Sequence, residues 1–534
     1  MKHNTKLIIE NISVPYIEGM TAADADGKAC ESADKKLRRM FSAKAGYLKI
    51  YRKSIDARKR NAVRFVYSIC AEMAVSREKV KAFARDGVKL FENSVYEHTA
   101  GNKKLCGRPV IVGFGPAGMF CALALAENGY SPVVYERGGS VEERVAAVER
   151  FVNSGVLDID SNIQFGAGGA GTFSDGKLTT RINDPLGAYV LEKLVSLGAP
   201  EDILYKAKPH IGTDVLREVV KRTDEQIRSL GGEIVYNSKV SLDGERAYTD
   251  GGELDYGVLV LALGHSARDT YGELLSGGYL VEAKPFSAGV RIEHLQEELD
   301  RAMFGDLAGD DTLGRAEYNV SLREGERGVY SFCMCPGGQV VGAASEEGGV
   351  VTNGMSNRLR DGKNANSALA VSVLPSDFGG DPAGAIAFQR MLEQRAFIAA
   401  GNDYSAPMQT VGDLLDGKKG SMPSRIEPTY MNGRVTPCDL TEILPSFITD
   451  LLKSGINYFG KRIRGFDSAD VPLTGVETRT SSPVRIMRND RYTAIAHDRI
   501  YPCGEGAGYA GGIMSAAIDG LKVARAIMEE YSPD

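Results

Sequence analysis

The stretch "RPVIVGFGPAGMFCALALAENGYSPVVYERG", residues 108–138, decides the fold. It starts as a short apolar strand, passes through a glycine-rich turn into a helix, and returns as a second apolar strand that ends at Glu136. Gly113, Gly115 and Gly118 have the GxGxxG spacing. This order predicts a βαβ unit of a Rossmann-like α/β domain.

Each glycine has its own expected role in such a turn. Gly113 allows the tight turn, Gly115 lets the backbone approach a pyrophosphate, and Gly118 lets the helix lie against the sheet. The helix opens at Pro116 and Ala117, where free N–H groups and the positive end of the helix dipole would meet phosphates. The segment therefore predicts a dinucleotide site.

The acid at the end of the second strand narrows the choice of nucleotide. Glu136 lies eighteen residues after Gly118, where it would accept both hydroxyls of an adenosine ribose, and Arg137 beside it belongs to the same candidate site. An acid there disfavours a 2′-phosphate. We expect FAD or NAD at this site, and not NADP.

A second glycine-rich segment, "YPCGEGAGYAGGIMSAAIDG", occupies residues 501–520. It reads as a short strand, a glycine loop and a helix with an apolar stripe. A simple NAD domain needs no second such turn, whereas a flavoprotein does, so FAD is favoured. The order of segments resembles that of two-dinucleotide-binding-domain flavoproteins, whose chain leaves the FAD domain, builds a substrate domain and returns to close on the flavin.

That resemblance implies roles for the returning segment. Glu505, which follows Gly504, would lie near the ribityl chain and the pyrophosphate, although most relatives have Asp there. Gly512, Ile513 and Met514 would face the pyrimidine edge of the isoalloxazine. A helix N-terminus at that edge would stabilise the negative charge that develops on reduction.

A third glycine-rich stretch, "QFGAGGAGTFSDGKLTTR", occupies residues 164–181. So much glycine with so few apolar residues favours a loop that a ligand holds in order over a plain surface loop. The candidate contacts to the pyrophosphate and ribityl chain are Gly168, Gly169, Gly171 and Thr172. Lys177 or Arg181 would project toward the flavin or the substrate.

Several unusual strings extend the resemblance along the whole chain. They are "SIDARK", "QFGAGGAGTFSDGKL", "GVRIEH", "FCMCPGG", "ASEEGGVVTNGMS" and "TGVETRTSSPVRI". Together they resemble a bacterial family of uncharacterised FAD-dependent dehydrogenases. The resemblance implies FAD and a redox role, and it leaves the substrate open.

Charge and pattern divide the chain. Residues 1–100 hold 20 Lys and Arg against 12 Asp and Glu, whereas the whole chain has a net charge of −6. Their pattern is β-α-β-β-α-β, which predicts a ferredoxin-like α+β module. We expect the Rossmann-like FAD-binding domain over residues 105–274 and 466–534, with an inserted α+β substrate domain over residues 275–465.

The basic module has a cationic segment with two interpretations. Its basic residues are Arg52, Lys53, Arg58, Lys59, Arg60 and Arg64. They would bind nucleic acid or an acidic partner, or they form a solvated hairpin tip. The hairpin tip is favoured because no aromatic residues are interleaved to stack on bases.

Catalytic candidates are few. Arg479, in "TGVETRTSSPVRI" with Glu477 and the hydroxyl residues that follow, would anchor an anionic substrate or the flavin carbonyl, or it belongs to an inter-domain crossover. His265 follows Gly264 and the apolar strand "GVLVLAL", where a histidine serves as acid or base or simply satisfies backbone near a cofactor.

The cysteines are expected to be reduced thiols. "VYSFCMCPGGQVV" alternates as a hairpin would, and its Cys333 and Cys335 are expected to be structural thiols rather than a redox pair. All eight cysteines lack CxxC spacing, so neither a disulfide framework nor a metal site is expected.

These features together predict an FAD-dependent oxidoreductase that exchanges hydride with a small-molecule substrate. No second strand-GxGxxG-helix-acid unit is visible, so a nicotinamide, NAD(P)H, would dock only transiently. The alternatives are a flavoprotein that acts on RNA recruited by the basic module, and a protein whose flavin is structural. The sequence contains no signal peptide and no run long enough to cross a membrane, so we expect a cytoplasmic protein without a membrane partner.

Overall fold

The N-terminal module is a four-stranded antiparallel sheet with helices on one face. The computed structural model describes residues 4–59, 62–92, 96–180, 182 and 184–533. The module comprises β1 (Thr5–Pro15), α1 (Ala22–Phe41), β2 (Tyr47–Asp56), β3 (Arg64–Met73), α2 (Arg77–Ala82) and β4 (Val88–Leu90). The strand order β2-β3-β1-β4 is the arrangement that the β-α-β-β-α-β pattern predicts. Arg60 of the cationic segment lies outside the described residues.

The next region supplies most of a parallel sheet. Its elements are β5 (Lys103–Lys104), β6 (Pro109–Val112), α3 (Pro116–Glu127), β7 (Val133–Tyr135), α4 (Val141–Ser154), α5 (Leu186–Ser196), α6 (Thr213–Ser229), β8 (Glu233–Val235), β9 (Ser241–Asp243), β10 (Arg246–Thr249), β11 (Gly252–Glu253), β12 (Val258–Leu261) and α7 (Arg268–Ser276). β6, α3 and β7 form the predicted βαβ unit, with β6 and β7 parallel. β12, the "GVLVLAL" strand, is fully buried and runs parallel to β6.

The middle region is built on a seven-stranded sheet. Its elements are β13 (Val281–Ala283), β14 (Phe286–Leu295), α8 (Gln296–Phe304), β15 (Ser321–Glu324), β16 (Arg327–Cys335), β17 (Gln339–Gly342), β18 (Thr352–Met355), β19 (Asn364–Val373), α9 (Pro382–Ala399), β20 (Ala406–Thr410), α10 (Val411–Asp416), β21 (Val435–Pro437), α11 (Leu440–Ile443), α12 (Ser446–Gly460) and β22 (Pro472–Glu477). The strand order is β15-β16-β19-β14-β22-β20-β21.

Two details of this region differ from the sequence predictions. β22 lies inside the seven-stranded sheet, so that sheet continues past the predicted boundary at residue 465. The predicted hairpin across "PGG" is wrong, because β16 pairs with β15 and β19 whereas β17 pairs with β18. Gly337 in that turn has a φ of +48° and lies against the carbonyl of Arg360, a distant residue that a local strand pattern does not reveal.

The last segment returns to the parallel sheet. It comprises β23 (Val484–Ile486), β24 (Ile500–Pro502), α13 (Ile513–Glu530) and β25 (Tyr531–Ser532). β24 joins β12 and completes the five-stranded order β24-β12-β6-β7-β8. Within the described ranges, no helix combines the length and the apolar character needed to span a bilayer.

Helices α3 and α13 cross in close contact at small residues. A Cβ on Gly520 would collide with the carbonyl of Ala117, and one on Gly504 would lie 2.6 Å from the Cβ of Ala117. The glycine inside α13, which is unfavourable for helix formation, therefore allows the two helix N-termini to approach.

We expect Gly520→Ala to lower the free energy of unfolding by about 1–3 kcal/mol, because the added methyl meets backbone that cannot move aside. Gly272→Ala is the matched control, since Gly272 lies in helix α7 with open space around its Cβ position. That control should gain up to about 1 kcal/mol from helix propensity. Urea unfolding of both variants measures the difference. An equal rise in the free energy of unfolding of both variants would contradict the close contact between α3 and α13.

Candidate functional site

One large cavity lies where the parallel sheet meets the seven-stranded sheet. Its volume is about 1350 Å³. The walls come from the turn between β6 and α3, the end of β7, the 164–177 loop, the end of β12, strands β15 and β16, and the start of α13. The cavity thus opens at the carboxyl ends of the parallel strands, where α/β folds bind ligands.

The first glycine turn is shaped for close approach. Gly113 has a φ of +104°, and a Cβ there would collide with the carbonyl of Ala262. A Cβ on Gly118 would collide with the carbonyl of Gly113. Gly115 faces the cavity and caps α3 without a side-chain hydrogen bond. The helix N-terminus therefore presents bare backbone to the cavity, with Pro116 and Ala117 in its wall.

Glu136 is already engaged by the protein backbone. Its carboxylate accepts the N–H groups of Phe114 (2.8 Å), Gly138 (3.0 Å) and Gly166 (2.9 Å). An ionised carboxylate has about four lone-pair positions, so these bonds leave room for a further hydroxyl rather than the two predicted from the sequence. Arg137 lies beside it in the cavity wall, stacked over the ring of Phe165 at 4.4 Å.

The 164–177 loop is held by a buried arginine that sequence reasoning missed. Arg144 of α4 is fully buried and donates to the carbonyls of Asn162, Ile163, Gly166, Ala167 and Gly169, at 2.7–3.3 Å. Contacts within the protein therefore hold the loop in place without a ligand. A signal existed, because Arg144 lies on the apolar face of α4 where a charge implies a buried partner.

The same loop contacts both glycine-rich helix starts. A Cβ on Gly169 would lie 2.9 Å from Gly115, and one on Gly171 would lie 3.2 Å from Ile513. Gly168, Thr172, Gly118 and Gly504 do not reach the cavity wall, and the hydroxyl of Thr172 donates to the carbonyl of Ala167. As direct cofactor contacts these four residues stay predictions. Lys177 faces the cavity near Glu317, and Arg181 lies outside the described residues.

The start of α13 closes the opposite side. Gly512, Ile513 and Met514 line the cavity, and α13, like α3, has no side-chain cap. Burial raises the pKa of the Glu505 carboxyl to about 7, against the opposing charge of Lys284, which also faces the cavity. Glu505 is therefore a titratable group in the physiological range at the cofactor end.

Arg479 lies in the wall, but a carboxylate already holds its guanidinium. Its Nε and Nη2 donate to Glu393 at 3.1 and 3.0 Å, and Nη1 donates to Ser345. Arg268 of α7 binds the same carboxylate through two bonds of 2.7 and 2.8 Å. Burial alone raises the pKa of Glu393, but Arg268 and Arg479 hold it below its ordinary value. Glu477 is bound in the same way by Arg291, at 2.8 and 2.9 Å.

His265 and the two cysteines also face the cavity. Burial, with Arg479 and Arg268 nearby, lowers the pKa of His265 to about 3, so the imidazole is neutral at physiological pH. Its Nδ1 lies 3.0 Å from the hydroxyl of Ser266. Cys333 and Cys335 are free thiols, and removal from bulk water raises the pKa of both. They are thiols rather than thiolates, consistent with the structural role predicted.

These residues fit the FAD that the sequence predicts. Two uncapped helix N-termini, at Gly115 and Gly512, open into one cavity. The first suits a pyrophosphate, and the second suits the negative charge of a reduced flavin. Glu136 has capacity for a ribose hydroxyl. The volume of about 1350 Å³ exceeds the usual range for drug-sized ligands, up to about 1,000 Å³, and leaves space for a dinucleotide with a second molecule.

We expect Arg144→Lys to lower the free energy of unfolding by about 3 kcal/mol or more and to weaken FAD binding, because one ammonium cannot satisfy five buried carbonyls. Arg150→Lys, on the exposed face of the same helix, should stay within about 0.5 kcal/mol. Urea unfolding and the quenching of added FAD fluorescence measure the two effects. Unchanged FAD binding by the Arg144 variant would contradict this account of the loop.

Glu505→Gln should change how stability depends on pH. The folded-state pKa of about 7 lies above the ordinary value of 4.5, so the folded protein binds the extra proton and wild-type stability falls as pH rises from 4.5 to 7. Gln does not titrate. The free energy of unfolding of the variant, relative to that of wild type, should therefore rise by about 2 kcal/mol between pH 5 and pH 8. Urea unfolding of the apoprotein at both pH values tests this. A difference independent of pH would refute it.

Among the comparisons with known proteins, the match to a family model concerns the cofactor. Residues 285–480 match a family model described as "FAD-dependent protein, C-terminal domain-like". The structure of CtdE in complex with FAD is 13% identical, covers 79% of this chain and 84% of its own, and has a TM-score of 0.31. The tetrameric form of 2-methyl-3-hydroxypyridine-5-carboxylic acid oxygenase is 14% identical, with 81% and 84% covered and a TM-score of 0.32. Similarities this low assign neither fold nor activity.

A sequence relative gives the family. An uncharacterised protein of Clostridium beijerinckii (strain ATCC 51743 / NCIMB 8052) is 46% identical over 498 residues, which cover 91% of this chain and 92% of the relative. The chain belongs to the family of that protein, its residues 285–480 are similar to the C-terminal domain of FAD-dependent proteins, and its cofactor is FAD.

Proposed function

We propose that this protein is an oxidoreductase in which FAD exchanges hydride with a small-molecule substrate, within the two-dinucleotide-binding-domain architecture. The observation that supports this most is the single continuous cavity. Its cofactor end is made by the starts of α3 and α13, and its other end by the seven-stranded sheet. FAD bound at the first end would supply two-electron redox chemistry to a molecule held at the second.

At the cofactor end, the chain's own groups hold charge and exclude water. The N-terminus of α13 at Gly512 provides the positive end of a helix dipole, which favours negative charge nearby. Lys284 lies within electrostatic range of Glu505, and burial lowers the pKa of this lysine. Burial thus disfavours the charged form of both groups at this wall of the cavity.

At the other end, polar side chains are available to a substrate. Asn319, Ser321, Tyr330 and Cys333 line the wall, the hydroxyl of Tyr330 lying 2.7 Å from that of Ser287. The bonds to Glu393 and Ser345 use three of the five N–H groups of Arg479 and leave two for a ligand. We infer a small polar substrate, with Arg479 orienting it and His265 accepting a hydrogen bond as a neutral imidazole.

An anaerobic titration tests this proposal. The purified FAD-bound protein is titrated with NADH, with NADPH and with the low-molecular-weight fraction of a cell extract while the visible flavin spectrum is recorded. We expect one of the three to bleach the flavin band, and dithionite serves as the positive control. Bleaching by a nicotinamide would identify a reductase with a transiently docked donor.

Two outcomes would overturn the proposal. Flavin that dithionite bleaches but that no biological donor reduces would support a structural flavin. Protein that stays colourless after incubation with FAD would contradict the cofactor assignment itself. Arg479→Lys should slow bleaching by the active donor without altering FAD content, and exposed Arg462→Lys is its matched control.

A further inference from the structure

The sheet of the N-terminal module packs its helices against one face, and its other face carries several exposed side chains. On β3, Phe65, Tyr67 and Ile69 point into the core beneath α1 and are fully buried. The alternate residues Ser68 and Cys70 point to the other face and are half-buried. We call this second side the open face.

Aromatic rings lie on the open face. Tyr47 and Tyr51 of β2 are 55% and 46% exposed, among the most exposed large hydrophobic side chains of the described protein. Tyr51 is the extra residue where the pairing with β3 shifts register. Its ring packs edge-on against Phe91, which follows β4, with centroids 5.9 Å apart. Because β2 and β4 are the outer strands, this pair reaches across the open face.

Cations surround these rings. Burial raises the pKa of the Cys70 thiol, which lies at the centre of the open face, and the positive charges of Lys6 in β1 and Lys49 in β2 both act to lower it. Arg52 follows Tyr51 on β2. Within the described residues, Lys6, Lys49 and Arg52 form no ion pair. Of the nearby acids, Glu10 pairs with Lys89. Glu72 accepts a bond only from the neutral amide of Asn4 and keeps its negative charge, but Lys6, Lys49 and Arg52 outnumber it. The open face is therefore positively charged.

We propose that the open face binds single-stranded nucleic acid. Tyr47 and Tyr51 provide flat rings on which bases stack, and Lys6, Lys49 and Arg52 contact the phosphates. Stacking on a four-stranded sheet combined with a cationic surround suits an unpaired strand, because duplex bases are not free to stack on side chains. A partner that offers only negative charge would make no stacking contact with exposed aromatic rings.

The open face belongs to a module that is fixed beside the cavity. The N–H of Lys53 donates to the carbonyl of Tyr205 at 2.7 Å, and the N–H of Ala207 donates to the carbonyl of Lys53 at 2.8 Å. The next residues, Lys208 and Pro209, line the cavity. A strand bound on the module would therefore lie near the cavity. The proposal does not depend on the oxidoreductase activity.

Fluorescence anisotropy of a labelled oligouridylate with the full-length FAD-bound protein tests this inference. We expect binding that weakens steeply with salt. Tyr51→Leu should weaken it by about five- to 100-fold, whereas Tyr51→Phe should retain it, because stacking is worth about 1–3 kcal/mol per base. Lys49→Ala should weaken binding and reduce its salt dependence, whereas Lys35→Ala, on the exposed side of α1, should do neither.

Three results would overturn the inference. They are no binding at low salt, binding that Tyr51→Leu leaves unchanged, and equal binding of the oligouridylate and its duplex with oligoadenylate. The last would indicate a general polyanion surface. Urea unfolding followed by far-UV circular dichroism shows whether each variant of the module is folded, and the visible flavin spectrum shows whether it still holds FAD, so a loss of binding is not mistaken for unfolding.

Discussion

The close crossing of α3 and α13 is the contact on which the cofactor end depends. Gly520 and Ala117 meet where neither side has room for another atom, and Gly504 lies against the same alanine. This contact brings two helix starts from opposite ends of the chain to one cavity. Each helix presents the positive end of its dipole to this cavity, where it favours negative charge on a bound cofactor. The glycines at 504 and 520 allow this close approach of the two helices.

A buried charge network joins the parallel sheet region to the middle region. Arg268 belongs to α7, Glu393 to α9, and Arg479 follows β22, so one carboxylate ties three segments together. A buried ion pair is costly to break because it leaves charge without a partner. The network therefore fixes the two walls of the cavity relative to each other. This explains why Arg479 is so buried at a place where the sequence predicts a ligand contact.

Local patterns predicted the βαβ unit, the βαββαβ module and the strand at Val258–Leu261, because short-range spacing determines those elements. Long-range contacts were not predictable in this way. The 164–177 loop is ordered by Arg144, and "PGG" joins two different sheets. The aromatic pair of the open face was missed because Tyr51 and Phe91 are forty residues apart and meet only through the strand order. Both interpretations of the cationic segment, nucleic-acid binding and a solvated hairpin tip, stay predictions.

The position of α13 also has a consequence for biosynthesis. Helix α3 is buried on nearly all sides, and much of its cover comes from α13, which is translated about 400 residues later. At about 5–20 residues per second, ribosomes leave α3 without that cover for about 20–80 s. Until then a mostly apolar helix lacks part of its cover. The wall of the cavity that α13 forms is complete only after this interval.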